Sequence, residues 1–152
     1  MENIRIRTLE TSDAKDIAEI YSSIVRKPVD FDFKSLIEAH VKNPNDICYV
    51  AEANGRVIGF MISYILPFSF GVEQSAWIAS LGVDPEFMGH SIGKSLARET
   101  FKLYKEMGIN RVYTSVTWNA VDLLSFFNSL DFTRSNFINL TINLDQTSLE
   151  ED

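Results

Sequence analysis

The sequence predicts an α/β fold: one mixed, mostly antiparallel sheet flanked by helices. Three observations carry this expectation. Asn54-Gly55 separates two apolar runs, the strongest short signal for an antiparallel hairpin. From Gln74 to Val116 a strand, a glycine-bearing turn, a helix and another strand follow one another, the order of a β-α-β crossover between parallel strands. The chain has 152 residues, 45% of them hydrophobic and 23% charged, which is enough to bury one core and excludes a disordered composition.

Each element has a local reason. Ile4, Ile6 and Thr8 alternate with Arg5, Arg7 and Leu9, a first strand. Thr11-Ser12-Asp13 offers N-cap oxygens to a helix in which Ile17, Ile20, Tyr21 and Ile24 recur at helical spacing, and Pro28 ends it. Asp32 to Val41 suits a second short helix, with Phe33, Leu36, Ile37 and His40 on one face. Asn43-Pro44-Asn45-Asp46 is a turn cluster. Ile47–Ala53 and Arg56–Leu66 form the hairpin, Pro67–Glu73 a loop, and Gln74–Val83 a fourth strand. The turn Met88–Gly93 enters a helix running to Met107, with Ile92, Leu96, Leu103 and Met107 as its apolar stripe and Ala97, Phe101 and Tyr104 beside it. Gly108 caps that helix. Arg111–Val116 is a fifth strand, Val121–Ser129 a short helix and Phe132–Leu144 a final strand. A single domain is expected over 1–144, followed by an acidic tail, 145–152, that frays.

Charge and cysteine content narrow the function. Fourteen basic residues against 21 acidic give a net charge of −7, with no dense basic run. A phosphate-neutralising patch is missing, so no nucleic-acid partner is expected, and a cationic acceptor such as an amine suits the surface better. One cysteine, Cys48, allows no internal disulfide and fits a reducing compartment. Two histidines, His40 and His90, predict no metal site. The start of the chain has no apolar signal region, and the apolar stretch Val57–Val72 is broken by Gly59, Ser63, Pro67 and Ser69. The expectation is a soluble, cytoplasmic protein that does not cross a membrane.

Most of the chemistry lies in Leu81-Gly82-Val83-Asp84-Pro85-Glu86-Phe87-Met88-Gly89-His90-Ser91-Ile92-Gly93-Lys94. A strand runs through a turn of small residues into a helix whose first N–H groups have no internal partner and carry partial positive charge. Gly89, Ser91 and Gly93 leave the backbone open, and Lys94 adds a full charge, a combination suited to a pyrophosphate. An ordinary strand-turn-helix connection accounts for the same residues. The spacing matches neither the Walker pattern nor the dinucleotide fingerprint.

The order of elements and this turn resemble the GNAT superfamily of acetyl-CoA-dependent N-acetyltransferases, from the first strand to Leu144. The family's fourth strand ends in a segment such as Leu81-Gly82-Val83 and leads to a Gln/Arg-x-x-Gly-x-Gly/Ala turn. The late stretch Leu124–Phe132 resembles its Phe/Leu-Tyr-x-x-x-Gly-Phe segment. The resemblance implies a fourth and fifth strand splayed like a V. The pantetheine arm of CoA would pair with the backbone near Leu81, Gly82 and Val83, and the pyrophosphate would sit on Met88, Gly89, His90, Ser91, Ile92, Gly93 and Lys94. Asn119, Phe126 and Phe127 would complete the coenzyme site. An acetyl group would pass from acetyl-CoA to a primary amine by direct attack in a ternary complex. A small cationic amine, a lysine side chain and a peptide N-terminus all remain open as acceptors.

The sequence departs from the family at several positions. Met88 replaces the turn's Gln/Arg, and Ser91 its first glycine, at a cost if that position needs positive φ. Phe127 stands where a tyrosine commonly protonates the leaving thiolate, and Asp131 replaces the glycine before the last Phe. The usual asparagine position is Ala120, with Asn119 one residue earlier. Trp77 and Ser115 occupy the two positions where relatives carry a glutamate base. Glu73, Asp84 and Ser115 remain as candidates to take or relay a proton. The alternative is a catalytically weak or inactive acyl-CoA-binding or protein-interaction module.

Phe31, Phe33, Phe70 and Trp77 are the candidate wall of an acceptor site, with Asp30, Asp32 or Glu73 near enough in sequence to attract a cation. Packing explains each aromatic equally well. Tyr113 and Tyr104 are alternative proton donors, although periodicity turns Tyr104 toward the core. His40 reads as structural. The Val57–Phe70 stretch could be a sheet edge buried in a homodimer.

Overall fold

The computed structural model describes residues 3–25, 32–67 and 74–145. These fall into two compact units divided after Thr114.

The first unit holds five strands: β1 (Ile4–Thr8), β2 (Asp46–Ala53), β3 (Arg56–Leu66), β4 (Ser75–Val83) and β5 (Val112–Thr114). Its helices are α1 (Ala14–Val25), α2 (Phe33–Lys42) and α3 (Ile92–Glu106), with short 3-10 turns at Thr11–Asp13 and Pro85–Phe87. The sheet runs β1-β2-β3-β4-β5. The first four strands pair antiparallel and β5 pairs parallel to β4, as a crossover through α3 requires. Asn54 and Gly55 take φ of 54° and 78°, the left-handed pair that a two-residue hairpin turn needs between Ala53 and Arg56. Asp32 caps α2, accepting from the Ser35 N–H and hydroxyl, which lowers its carboxyl pKa.

The sheet is covered on both faces. Cys48, Val50, Phe60 and Ile62 pack with Ile17 and Ile20 of α1 and Ile37 of α2. On the α3 side Tyr104 packs with Ile65 and Ala76. There Ser63 shares a 2.6 Å hydrogen bond with the Tyr104 hydroxyl, and its own Oγ lies 2.5 Å from the Ile47 carbonyl. β3 is therefore an interior strand between β2 and β4, so this part of the Val57–Phe70 stretch is not the sheet edge that it could have been. Its long apolar run serves two covered faces. Phe68–Phe70 lie outside the described residues.

The buried stripe of α3 also differs from its expected composition. It runs Ile92, Leu96, Thr100 and Tyr104, while Leu103 is half-buried and Met107 exposed. Thr100 fits because its hydroxyl bonds back to the Leu96 carbonyl at 2.8 Å. Gly108 closes the helix, with the Ile109 N–H reaching the Tyr104 carbonyl. On the outer strands, Arg7 bonds both oxygens of buried Asp13, and its Nε bonds Glu52.

The second unit contains α4 (Val121–Ser129), with the bounds its sequence predicts. Phe127 is buried there against the rings of Phe126 and Phe132. Phe132–Leu144 forms no strand, contrary to expectation. Alternating residues make a strand only when a second strand supplies the ladder, and none pairs with this stretch among the described residues. No described helix is long and apolar enough to cross a membrane, and no described group of His, Cys, Asp and Glu could hold a metal ion.

Candidate functional site

The site begins with a defect in strand pairing. Ile62 faces Ser80 and Ser63 faces Ile78, so Ala79 is an extra residue bulging from β4. β5 leaves at the same place. Its register is Ala76–Val112, Trp77–Tyr113 and Ile78–Thr114, and it goes no further. The expected fifth strand, Arg111–Val116, is thus shortened to three residues. β4 continues for five more residues, from Ala79 to Val83, still bonded to β3 but with no strand on its other side within the unit. A ligand with amide groups can use that free edge as a further strand would.

Leu81 and Val83 are half-buried at this edge, and Gly82 is buried between them. A Cβ on Gly82 would lie 2.8 Å from the Phe60 ring and 2.9 Å from Ile24, so glycine lets α1 and β3 close on β4. The strand then enters the Pro85–Phe87 turn. Asp84 sets that turn by accepting from the Glu86 N–H at 3.0 Å, and its other oxygen takes Arg56 at 2.9 Å. Both oxygens of Asp84 are engaged in these bonds. Arg56 lies 28 residues away in sequence, and no local signal points to the pairing.

Beyond the turn, Met88, Gly89, His90 and Ser91 are all exposed. Gly89 has φ of 88° and nothing within 4 Å of where a Cβ would stand. Ser91 sits at φ 60°, ψ 25°, so the strained serine anticipated from the sequence is present. Its side chain makes no capping bond. A left-handed residue followed by a helical one points successive N–H groups inward, the geometry of an anion nest. The first α-helical bond of α3 runs from the Ser95 N–H to the Ser91 carbonyl. The N–H groups of Ile92, Gly93 and Lys94 precede it and have no acceptor within the helix. The Ile92 side chain is buried, so this residue offers only its backbone to a ligand. His90 lies beside the Phe87 ring, with centroids 6.4 Å apart.

Trp77 stacks on Tyr113 at 4.9 Å, and its indole N–H donates to Ser75 Oγ at 3.0 Å. The two residues form the middle of the three pairs that join β4 to β5, a role that linear spacing does not reveal. Tyr104 is not an available acid: it is buried, bonded to Ser63, and burial pushes its phenol up to about 12. His40 is structural, 2.6 Å from Asp46. Phe33 packs against the core, with its ring 5.5 Å from that of Tyr21. Phe31, Phe70 and Glu73 lie outside the described residues. Ser115, Asn119, Phe126 and Phe127 belong to the second unit, where the Ser115 hydroxyl accepts from Asn139 at 2.9 Å.

The chain matches the Acetyltransferase (GNAT) family over residues 14–132. It is 29% identical over 108 residues to a mycothiol acetyltransferase of Saccharomonospora viridis, covering 67% of this chain and 35% of that protein. The mycothiol acetyltransferase of Amycolatopsis mediterranei is 28% identical over 89 residues, covering 57% of this chain and 30% of that one. The chain thus spans about a third of the length of these two relatives. A Bacillus subtilis protein, provisionally named a ribosomal protein bS18 alanine N-acetyltransferase, is 27% identical over 111 residues, 73% of this chain and 68% of that one. Among solved structures, aminoglycoside N-acetyltransferase AAC(6')-Iy in complex with CoA superposes with a TM-score of 0.82 at 13% identity, covering 95% of this chain and 97% of that one. The aminoglycoside acetyltransferase meta-AAC0020, from an uncultured soil metagenomic sample, gives 0.79 at 20% identity, covering 93% and 96%. Identities this low bear on the fold alone. The family match extends over most of the sequence, from α1 through α4 to Phe132, and with it this chain belongs to the GNAT acetyltransferase family.

Proposed function

We propose that the chain transfers an acetyl group from acetyl-CoA to a primary amine. The amine nitrogen attacks the thioester carbonyl directly: a C–N bond forms, the C–S bond breaks, CoA leaves as a thiolate and the amine gives up a proton. The observation that carries this reading is the parting of β4 from β5 at Ala79, on a strand that leads into the left-handed turn before α3. The free edge at Leu81–Val83 suits the amides of pantetheine, and the N–H groups from Gly89 to Lys94 suit a pyrophosphate. Asn119, Phe126 and Phe127 are coenzyme candidates by the family resemblance alone. Holding both reactants in line supplies much of the rate.

No dedicated acid or base is assigned. Phe127 has no proton to give, and Asp84 is engaged with Arg56 and the Glu86 N–H. The amine proton leaves through water, and a thiolate departs without full protonation because a thiol is far more acidic than an alcohol. General acid–base help is worth about 10²–10⁴-fold, so turnover is slow by that margin. Relatives named for mycothiol, a ribosomal-protein alanine and aminoglycosides show how many acceptors this family serves. The net charge of −7 favours a cationic one. The lone, buried Cys48 suits work in the reducing cytoplasm.

A thermal-shift titration with acetyl-CoA, CoA and dephospho-CoA tests the reading. A ligand bound only by the folded chain at a hundred times its Kd adds roughly 2.7 kcal/mol, so the melting temperature rises with concentration. No rise up to millimolar ligand overturns the assignment. Binding without turnover across a broad amine panel replaces the enzyme with an acyl-CoA-binding module. Phe127→Tyr raises kcat if the missing acid limits the rate, and an unchanged rate rejects that explanation.

A further inference from the structure

Helix α3 gathers cations that the sequence spreads out. Lys94, Arg98, Lys102 and Lys105 follow one another at steps of four, four and three residues, so they form one row on its outer face. Lys94 is half-buried and the other three are exposed. Among the described residues none of them joins an ion pair. The acids of the helix stand apart from the row. Glu99 and Glu106 lie on the flank toward Tyr49 of β2, whose phenol is raised by burial and then by these two charges. The row starts at the left-handed turn before α3 and runs about 16 Å along the axis away from it. A coenzyme held on that turn has use for Lys94 and at most its neighbour Arg98. Lys102 and Lys105, about two and three helical turns further on, are left without an anion.

We propose that this row docks an acidic helix of a carrier protein that presents the acetyl thioester on a 4′-phosphopantetheine arm, a second donor alongside acetyl-CoA. The inference rests on the acetyl-transfer reading above, because it uses the same strand edge. The arm of such a carrier is the pantetheine of CoA, ending in a phosphodiester to the protein. Its amides suit the edge at Leu81–Val83, and its phosphate suits the N–H groups from Gly89 to Lys94. Whatever bears the arm then lies where α3 begins, and the row of cations leads on from that point. Carboxylates on one face of a partner helix, at the same three- and four-residue steps, meet the row along its length. The net charge of −7 repels a long polyanion such as a nucleic acid, which must cross the acidic remainder of the surface. A short acidic helix faces the row alone, and at physiological salt charges beyond about 8 Å are largely screened. The chemistry is that of the coenzyme reaction. The amine nitrogen attacks the thioester carbonyl, a C–N bond forms, the C–S bond breaks, the arm leaves as a thiolate on its carrier, and the amine proton passes to water.

Binding tests this without a known acceptor. The probes are an acetyl-loaded holo acyl carrier protein, which is acidic and helical, the same carrier without its arm, acetyl-CoA, and an RNA oligonucleotide. The acetyl-carrier should bind, more weakly as salt rises, and excess acetyl-CoA should displace it from the shared edge. Lys102→Glu combined with Lys105→Glu should weaken binding of the acetyl-carrier by roughly tenfold or more. The same variant should hold acetyl-CoA within about twofold of its parent, which also shows that it folds. If acetyl-CoA binds and the carrier does not, the inference falls and acetyl transfer from the coenzyme stands. If neither binds, the reading beneath it has failed as well. A carrier bound as tightly without its arm, held equally by the double variant, or matched by the RNA through the same lysines would each overturn the proposal.

Discussion

Leu96 and Leu140 are the same side chain in opposite settings. Leu96 lies on α3 with none of its surface exposed, while Leu140 is 87% exposed. The contrast extends to the two units that contain them. In the first, a sheet covered on both faces gives apolar residues of either strand phase a place to go, so β3 is buried along nearly its whole length. In the second, Phe127 is the one buried hydrophobic side chain among the described residues, while Trp118, Val121, Ile138 and Leu140 stand in water. Apolar periodicity creates a demand for burial. Topology decides whether the chain itself supplies the cover.

Leu96→Ala gives the largest effect and sharpens the contrast. Truncating a fully buried leucine should cost about 2–5 kcal/mol, whereas Leu140→Ala should stay within about 0.5 kcal/mol. Urea unfolding of both variants measures the difference. Equal losses would break the comparison.

Tyr104 gives the next effect, through pH. Burial raises its phenol from 10.0 to about 12. The folded chain therefore holds this proton after the unfolded chain has released it. The stabilisation is complete below pH 10 and is lost as pH rises toward 12, about 2 kcal/mol over the window. Burial likewise raises Cys48 from 9.0 to about 11, so the test compares Tyr104→Phe with its parent in the same cysteine background. The variant should lose less stability across that range, and parallel melting curves would reject the linkage. The remaining Ser63–Ile47 hydrogen bond should hold the variant's loss at neutral pH to roughly 1 kcal/mol.

Ser91→Gly gives the smallest effect. It relieves a left-handed serine and should stabilise the first unit by about 0.5–1 kcal/mol in thermal melting. Destabilisation would mean that the serine hydroxyl makes a contribution greater than the strain.

Much of the secondary structure was legible because its signals are local. The Asn54-Gly55 turn, the Asp32 cap, the Gly108 stop and the bounds of α4 all follow from backbone preferences that neighbouring residues impose. The turn from Met88 to Lys94 was legible for the same reason, down to the unfavourable Ser91. The bulge at Ala79 was not, because a bulge is a mismatch between two strands and neither strand alone encodes it. The Arg56–Asp84 pair and the Trp77–Tyr113 stack join residues far apart in sequence.

By itself, the sequence determined where helices, strands and turns can form and which turn leaves backbone donors exposed ahead of α3, since propensity, capping and positive φ act over a few residues. The tertiary structure alone decided where β5 parts from β4, that β3 is an interior strand, and that Phe132–Leu144 forms no strand among the described residues. A strand is defined by its neighbour, and alternation in sequence states a need for pairing that only another segment in space can meet.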